Sequence, residues 1–264
     1  MTLFPIGGGT NLIGSDTEIP DTCFVKLTGE ADFAILKQDP DNPDHFICGS
    51  ANSLGRIAIK ALAAGYGGLS PLSGIPGTLG GAFKMNAGAM GKCLADFVVD
   101  FTVMDLQTGQ CCTLKKKELL WEYRNSGLPD SQILLEARLN LQKVDPVKEQ
   151  KDLEQERERR AKAPKGRSSG SIFRNPSAEN PAGKILEQLS VKGLSSGSFS
   201  VSREHANWII NRSDGPNPNR EQDFVLLIKH LMVLAQQYRQ LQLLPEVKFI
   251  NPQTSKIIEE MMRK

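Results

Sequence analysis

The stretch SGIPGTLGGAFKMNAGAMG, residues 73–91, decides the reading of this chain. It places six glycines and one proline among residues with little side-chain volume, so it cannot fill a core by itself. Its natural use is close approach of backbone to a flat, extended ligand, with main-chain N–H groups as donors. The plainer alternative is a long structural loop, and long structureless loops are usually functional in any case.

Upstream, Gly7-Gly8-Gly9-Thr10-Asn11 follows Leu3, Phe4 and Ile6 and precedes Leu12-Ile13-Gly14. Three glycines let a turn aim several N–H groups at one point, which suits a diphosphate. The block is not a GxGxxG fingerprint and no Walker lysine follows it, so alone it reads first as a turn between strands. Between the two glycine clusters, FVKL (24–27), FAIL (33–36) and HFICG (45–49) have the composition of short strands. Ser53 to Gly65 reads as a helix, with Leu54, Ile57, Ala58, Ala61 and Leu62 on one face, Ser53 as cap and Gly65 as stop.

Downstream, 97–104 and 132–142 read as strands, the second alternating Leu135, Ala137, Leu139 and Leu141 against polar residues. The tract 146–164 is almost all Lys, Glu, Arg and Gln, the pattern of a solvated helix joining two domains. Asn180-Pro181 opens a further helix. Residues 223–241 form the clearest helix, with Phe224, Leu227, Ile228, Leu231, Leu234, Ala235, Tyr238 and Leu241 in one apolar stripe. Residues 254–264 look like an exposed tail helix. The segment Ser168–Pro176 sets a serine in glycine-rich surroundings but lacks the GxSxG elbow and a nearby histidine base, which argues against acyl transfer.

The whole chain has 264 residues, with 32 Lys and Arg against 30 Asp and Glu. A net charge of +2 rules out the basic field of a dedicated nucleic-acid binder. No apolar run is long enough to span a bilayer, and the amino terminus lacks a signal-peptide layout, so a cytoplasmic location is expected. Three histidines and five cysteines without a CxxC pair are a poor set for a metal site or redox dithiol; free, mostly packed thiols are expected.

Taken together, GGGTN (7–11), residues 73–91, YRNS (123–126), GSIFRNP (170–176), AGKILEQLSVKGL (182–194), HANWIIN (205–211) and PEV (245–247) resemble the UDP-N-acetylenolpyruvoylglucosamine reductase family. The matching blocks occur in family order over about residues 3–250. The glycine block alone indicates the wider group of flavoproteins sharing this FAD-binding fold; GSIFRNP with YRNS narrows it to the reductase. The resemblance implies an α+β protein: an FAD-binding domain of the vanillyl-alcohol-oxidase/PCMH type over 1–144, a charged connecting helix over 145–165, and an α+β substrate-binding domain over 166–264. Family members carry several tens of residues before the GGGTN block, so here either the start is misassigned, the chain is truncated, or the first lobe is shortened. The gap between Arg124 and Ser171 is similar to that of the shorter subclass, which lacks an inserted loop with a substrate-covering tyrosine.

The implied reaction uses FAD and NADPH to reduce the enolpyruvyl ether of a UDP-sugar to UDP-N-acetylmuramate, a small-molecule reaction requiring no protein, nucleic-acid or membrane partner. By motif, Arg124 is the cation beside the developing enolate, Ser171 the proton donor and Glu246 the group that assists protonation. FAD contacts are implied at Gly7, Gly8, Gly9, Thr10, Asn11, Leu12, Ser73, Gly77, Thr78, Gly80, Gly81, Asn86 and Gly88. Substrate contacts are implied at Tyr123, Arg124, Lys162, Arg174 and Asn175. Two alternatives stay open: an FAD-dependent oxidase of the same fold acting on another substrate, and a non-catalytic nucleotide-binding remnant.

Overall fold

Strand Gln132–Asn140 lies at the centre of a five-stranded antiparallel sheet. Its spatial order is Cys111–Lys115, Val98–Asp105, Gln132–Asn140, His45–Gly49, Leu36–Gln38. A β-bulge between Leu134 and Glu136 leaves Leu135 half-buried and turns Ile133, Leu134, Ala137 and Leu139 into the core. The simple alternation expected for this strand is therefore broken at Leu135, because the bulge inserts an extra residue.

The computed structural model describes residues 1–29, 31–213, 215 and 219–262. The chain divides into two compact units, Met1–Gly8 with Asp21–Lys162, and Gly9–Pro20 with Ala163–Lys264. Among the described residues no helix is long and apolar enough to cross a membrane.

In the first unit a parallel pair, Thr2–Pro5 with Thr22–Val25, accompanies the sheet. The segment 33–36 is not a strand. A 3-10 turn over Ala31–Ala34 comes first, and the strand begins at Leu36. The carbonyls of Phe33 and Ile35 are taken by the Ala51 and Gly49 N–H groups, at 3.0 and 2.7 Å, which wraps this segment over the 49–52 turn. Helix α1 (Leu54–Ala63) starts where Ser53 accepts the Arg56 N–H at 3.2 Å. It buries Leu54, Ile57, Ala58 and Ala61 beside two short helices, α2 (Ser70–Ser73) and α3 (Leu79–Lys84). Phe83 of α3 stacks at 4.9 Å on both Phe101 and Trp121, anchoring α3 to the sheet.

Helix α4 (Pro146–Ala161) is charged, but it is not simply solvated. Glu149 and Glu156 are buried within the first unit. Glu149 Oε1 accepts the Gly68 N–H at 2.9 Å, and Glu156 ion-pairs with Arg159 and Arg160 at 2.6 and 3.3 Å. Glycines 67 and 74 leave the room these carboxylates occupy. Burial pushes the Glu156 carboxyl up, but the hydrogen bonds and charges of Arg159 and Arg160 outweigh it and hold the group below the usual range.

The second unit is built on α6 (Arg220–Arg239), which buries Phe224, Leu227, Ile228, Leu231 and Ala235 as its stripe requires. Tyr238 leaves that stripe and is exposed, because the helix ends at the next residue, Arg239, and Gln240 turns the chain away in a left-handed conformation. Helix α5 (Ala182–Gln188) and the meander Ser195–Ser196, Phe199–Val201, Ile209–Asn211 complete this core. Helix α7 (Pro252–Met262) is not an exposed tail: Thr254 and Ile258 are buried, and Met261 and Met262 pack on the same core. Arg263 and Lys264 lie outside the described residues. All five cysteines are free, but only Cys48 is buried; Cys23, Cys111 and Cys112 are exposed and Cys93 is half-buried. The expectation of mostly packed thiols fails because Cys111 and Cys112 sit on an edge strand.

Candidate active site

The glycine-rich segment folds as a loop leading into α3. Thr78 caps this helix, its hydroxyl accepting the Gly81 N–H at 3.4 Å. Gly7 presses against the same turn: a Cβ there would stand 2.7 Å from Thr78 Oγ1 and 3.4 Å from Gly81 Cα. Gly77 takes a positive φ of 109° just before the cap. The N–H groups of Leu79 and Gly80 bond to Asn52 and Ser50 carbonyls, at 2.7 and 2.9 Å, and the Ser73 hydroxyl bonds to Ser70 O at 2.8 Å. The loop is thus clamped onto the 50–52 turn through part of its own polar inventory. Cβ atoms at Gly80 and Gly81 would meet only ordinary contacts of 3.4 and 3.7 Å.

The turn carrying Tyr123 and Arg124 is fastened to this loop from two sides. Glu122 and Asn125 exchange backbone hydrogen bonds at 2.8 and 3.2 Å, leaving Arg124 at φ 60°, which costs a non-glycine residue about 1 kcal/mol. Asn86, buried in the loop, donates to Glu122 O at 2.9 Å and accepts the Ala95 N–H at 3.0 Å. Buried Ser126 bonds Lys84 O through both its N–H and its hydroxyl, each at 3.2 Å. The guanidinium lies 4.9 Å from the Tyr123 ring centre, and a Cβ on Gly88 would stand 3.2 Å from Arg124 Nη1. The geometry therefore couples the loop to Arg124, and Asn86, read in the sequence as a cofactor contact, spends its amide on that coupling. Lys162 ends α4, exposed, with its N–H on the last helical carbonyls.

Of the GGGTN block, Gly7 and Gly8 belong to the first unit, and Gly9, Thr10 and Asn11 to the second. Gly9 (φ 68°) opens onto free space and Thr10 is exposed. Asn11 Nδ2 donates to Glu246 O at 3.2 Å, and Leu12–Ile13 pairs in parallel with Lys248–Phe249. In the same unit Ser171 and Glu246 flank Ile172. The Glu246 N–H donates to Ile172 O at 2.7 Å, and single bridges join Ser171 to Trp208 and Phe173 to Pro245. The Ser171 residue is exposed, while Ile172 and Phe173 are core. Arg174 donates its N–H to Leu244 O and buries its Nε. Asn175 Oδ1 accepts the Ala182 N–H at 3.1 Å, at the start of α5.

The second unit thus brings Ser171, Glu246 and Asn11 together, while the first brings Arg124 to the loop. A hydroxyl beside a carboxylate-bearing segment suits proton delivery, and a guanidinium braced by backbone suits a developing anion. Sequence reasoning missed Asn207. It lies within the HANWIIN block, but its role does not show there: its amide takes both the N–H and the carbonyl of Phe173 at 2.9 Å, 34 residues away in the chain.

Residues 161–250 match the family model described as UDP-N-acetylenolpyruvoylglucosamine reductase, C-terminal domain, and residues 1–115 match that of an FAD binding domain. The UDP-N-acetylenolpyruvoylglucosamine reductase of Synechococcus sp. (strain RCC307) is 35% identical over 251 residues, covering 92% of this chain and 77% of the relative. The protein of the same name from Petrotoga mobilis is 34% identical, covering 92% of this chain and 79% of its own. Among solved structures, UDP-N-acetylenolpyruvylglucosamine reductase from Thermus caldophilus is similar with a TM-score of 0.78 at 27% identity, over 94% of this chain and 85% of that one.

Proposed function

The chain belongs to the UDP-N-acetylenolpyruvoylglucosamine reductase family, and we propose that Arg124, Ser171 and Glu246 carry its reaction. It is an FAD-dependent oxidoreductase of peptidoglycan synthesis that uses NADPH. The first unit's residues fit FAD. Gly7 lies against the Thr78–Gly81 turn, where a Cβ would come 2.7 Å from Thr78 Oγ1 and 3.4 Å from Gly81 Cα, so two glycine-bearing backbone segments converge, as a diphosphate cradle requires. When bound, FAD supplies the redox chemistry, taking reducing equivalents from NADPH.

The remaining work falls to the chain. We assign the flavin to the first unit and take the small UDP-sugar enolpyruvyl ether as substrate, in the cytoplasm and with no protein, nucleic-acid or membrane partner required. Arg124 holds the substrate carboxylate and stabilises the negative charge that develops next to it; its fork geometry matches a carboxylate in two places. Ser171 delivers a proton to the alpha carbon. A free serine hydroxyl is far too weak an acid for that, so Glu246 assists by orienting and relaying. Tyr123, Lys162, Arg174 and Asn175 serve as substrate contacts in this reading. The observation that carries it is the 2.7 Å bond from Glu246 N–H to Ile172 O, which seats the carboxylate-bearing residue one position from Ser171.

The test is spectroscopic. Purified protein should be yellow, bleach with NADPH under anaerobic conditions and regain colour on adding the enolpyruvyl UDP-sugar. The Gly81→Val variant should lose flavin while keeping its fold: within the protein a Cβ there meets nothing closer than 3.7 Å, so the added bulk would intrude on a cofactor seated against this backbone rather than on the chain itself. Colourless wild-type protein that binds no added FAD, or flavin that the substrate fails to reoxidise, would overturn the reading.

A further inference from the structure

We propose that Asn207 is a positioning residue for proton delivery, its side-chain amide fixing the register of Ser171 against Glu246. The inference rests on the reading of Ser171 and Glu246 given above. The segment 171–174 belongs to no continuous sheet; single bridges tie it to Trp208 on one side and Pro245 on the other. An isolated bridge fixes little, because one residue either way costs few hydrogen bonds.

Asn207 supplies what a strand neighbour would. Its Oδ1 accepts the Phe173 N–H and its Nδ2 donates to Phe173 O, both at 2.9 Å, while its own carbonyl accepts the Ile172 N–H at 2.9 Å. On the opposite edge, Ile172 O accepts the Glu246 N–H. The peptide unit next to Ser171 is therefore gripped by Asn207 on one side and by Glu246 on the other. Asn207 is itself held, 3% exposed, with its N–H on His205 Nδ1 at 3.2 Å. Burial lowers the His205 pKa, with Glu187 and Lys192 the charged groups acting on it. In such a site both halves of the amide are needed, since a buried donor or acceptor left alone is costly.

The chemistry predicts a pH signature. In Asn207→Asp the carboxylate still accepts from Phe173 N–H, but its second oxygen faces the Phe173 carbonyl with no proton to share. Protonation restores the donor. Relative to wild type at each pH, reoxidation of NADPH-reduced enzyme by the enolpyruvyl substrate should be at least tenfold slower above neutral pH. It should return to within a few-fold as pH falls and the buried carboxyl takes up its proton. Flavin content should match wild type throughout.

A folded Asn207→Asp variant that reoxidises like wild type at every pH, or is slowed equally at every pH, overturns the proposal. If that variant does not fold, Asn207→Gln replaces it. This variant keeps both hydrogen-bonding groups but displaces them by a methylene, so it should slow reoxidation while leaving substrate affinity within about twofold; wild-type rates overturn the proposal. Ser171→Ala is run in parallel. If it reoxidises normally, the reading of Ser171 has failed; if it is slow while the Asn207 variants are normal, only the positioning role has failed.

Discussion

In the first unit Arg124 is aimed by backbone. It sits at φ 60° in a turn that Asn86 and Ser126 fasten to a glycine-rich loop, and its guanidinium passes a glycine at a distance where any side chain would crowd it. In the second unit Ser171 is held through the two residues that follow it: the Asn207 carboxamide makes two hydrogen bonds to Phe173, the Asn207 backbone carbonyl accepts a third from Ile172, and the Glu246 N–H donates to the Ile172 carbonyl on the other edge. The difference is one of material. Glycines and positive φ values let backbone approach backbone, and a residue with a side chain cannot take their place. A seam of side-chain hydrogen bonds positions a small group and can be retuned by one substitution.

The comparison breaks most visibly at Arg124. Arg124→Lys keeps the charge and loses the fork, and should lower kcat/KM by about 10²–10³-fold with flavin content unchanged. A lysine variant of normal activity would mean that the braced geometry of the turn serves no purpose. Glu246→Gln sharpens the other side. As an anion facing an anionic substrate, Glu246 should not aid binding, so kcat should fall about tenfold while KM stays level or falls. An unchanged kcat with a large rise in KM would make Glu246 a binding residue.

A smaller effect is expected at α4, which packs against the glycine turn entering the loop. Glu156→Gln should cost about 1–2 kcal/mol in urea unfolding at neutral pH, because it strips the charged partner from Arg159 and Arg160. Arg159 and Arg160 hold the folded-state pKa of Glu156 below its unfolded value, despite burial. Its contribution is thus present above the unfolded pKa and lost as pH falls through the folded one. The gap between variant and wild type should narrow as the medium is acidified. A gap that stays constant would show that the carboxylate acts through packing rather than charge.

This division of materials also explains what was legible. The strand His45–Gly49, the capped helix α1 and the glycine-rich loop could be read because period, cap and glycine density are local signals. The burial of Glu149 was not legible: its partner Gly68 is 81 residues away, and a lone glutamate in a charged run looks solvated. Nor was the bulge at Leu135, which depends on the facing strand Val98–Asp105. The packed face of α7 was hidden because Ile258 and Thr254 acquire meaning only beside the second core. Of the site, Arg124, Ser171 and Glu246 were named from motif blocks. The groups that hold them, Asn86, Ser126 and Asn207, work through hydrogen bonds to distant backbone and leave no periodic trace.

The most direct test of the account is an anaerobic stopped-flow comparison of wild type with Ser171→Ala. Each is first reduced by NADPH, then mixed with the enolpyruvyl UDP-sugar while flavin absorbance is followed. The account predicts equal flavin content and equal reduction by NADPH, with reoxidation of the alanine variant slowed by about 10²–10⁴-fold, the range for loss of a general acid. Reoxidation of Ser171→Ala at the wild-type rate would contradict it.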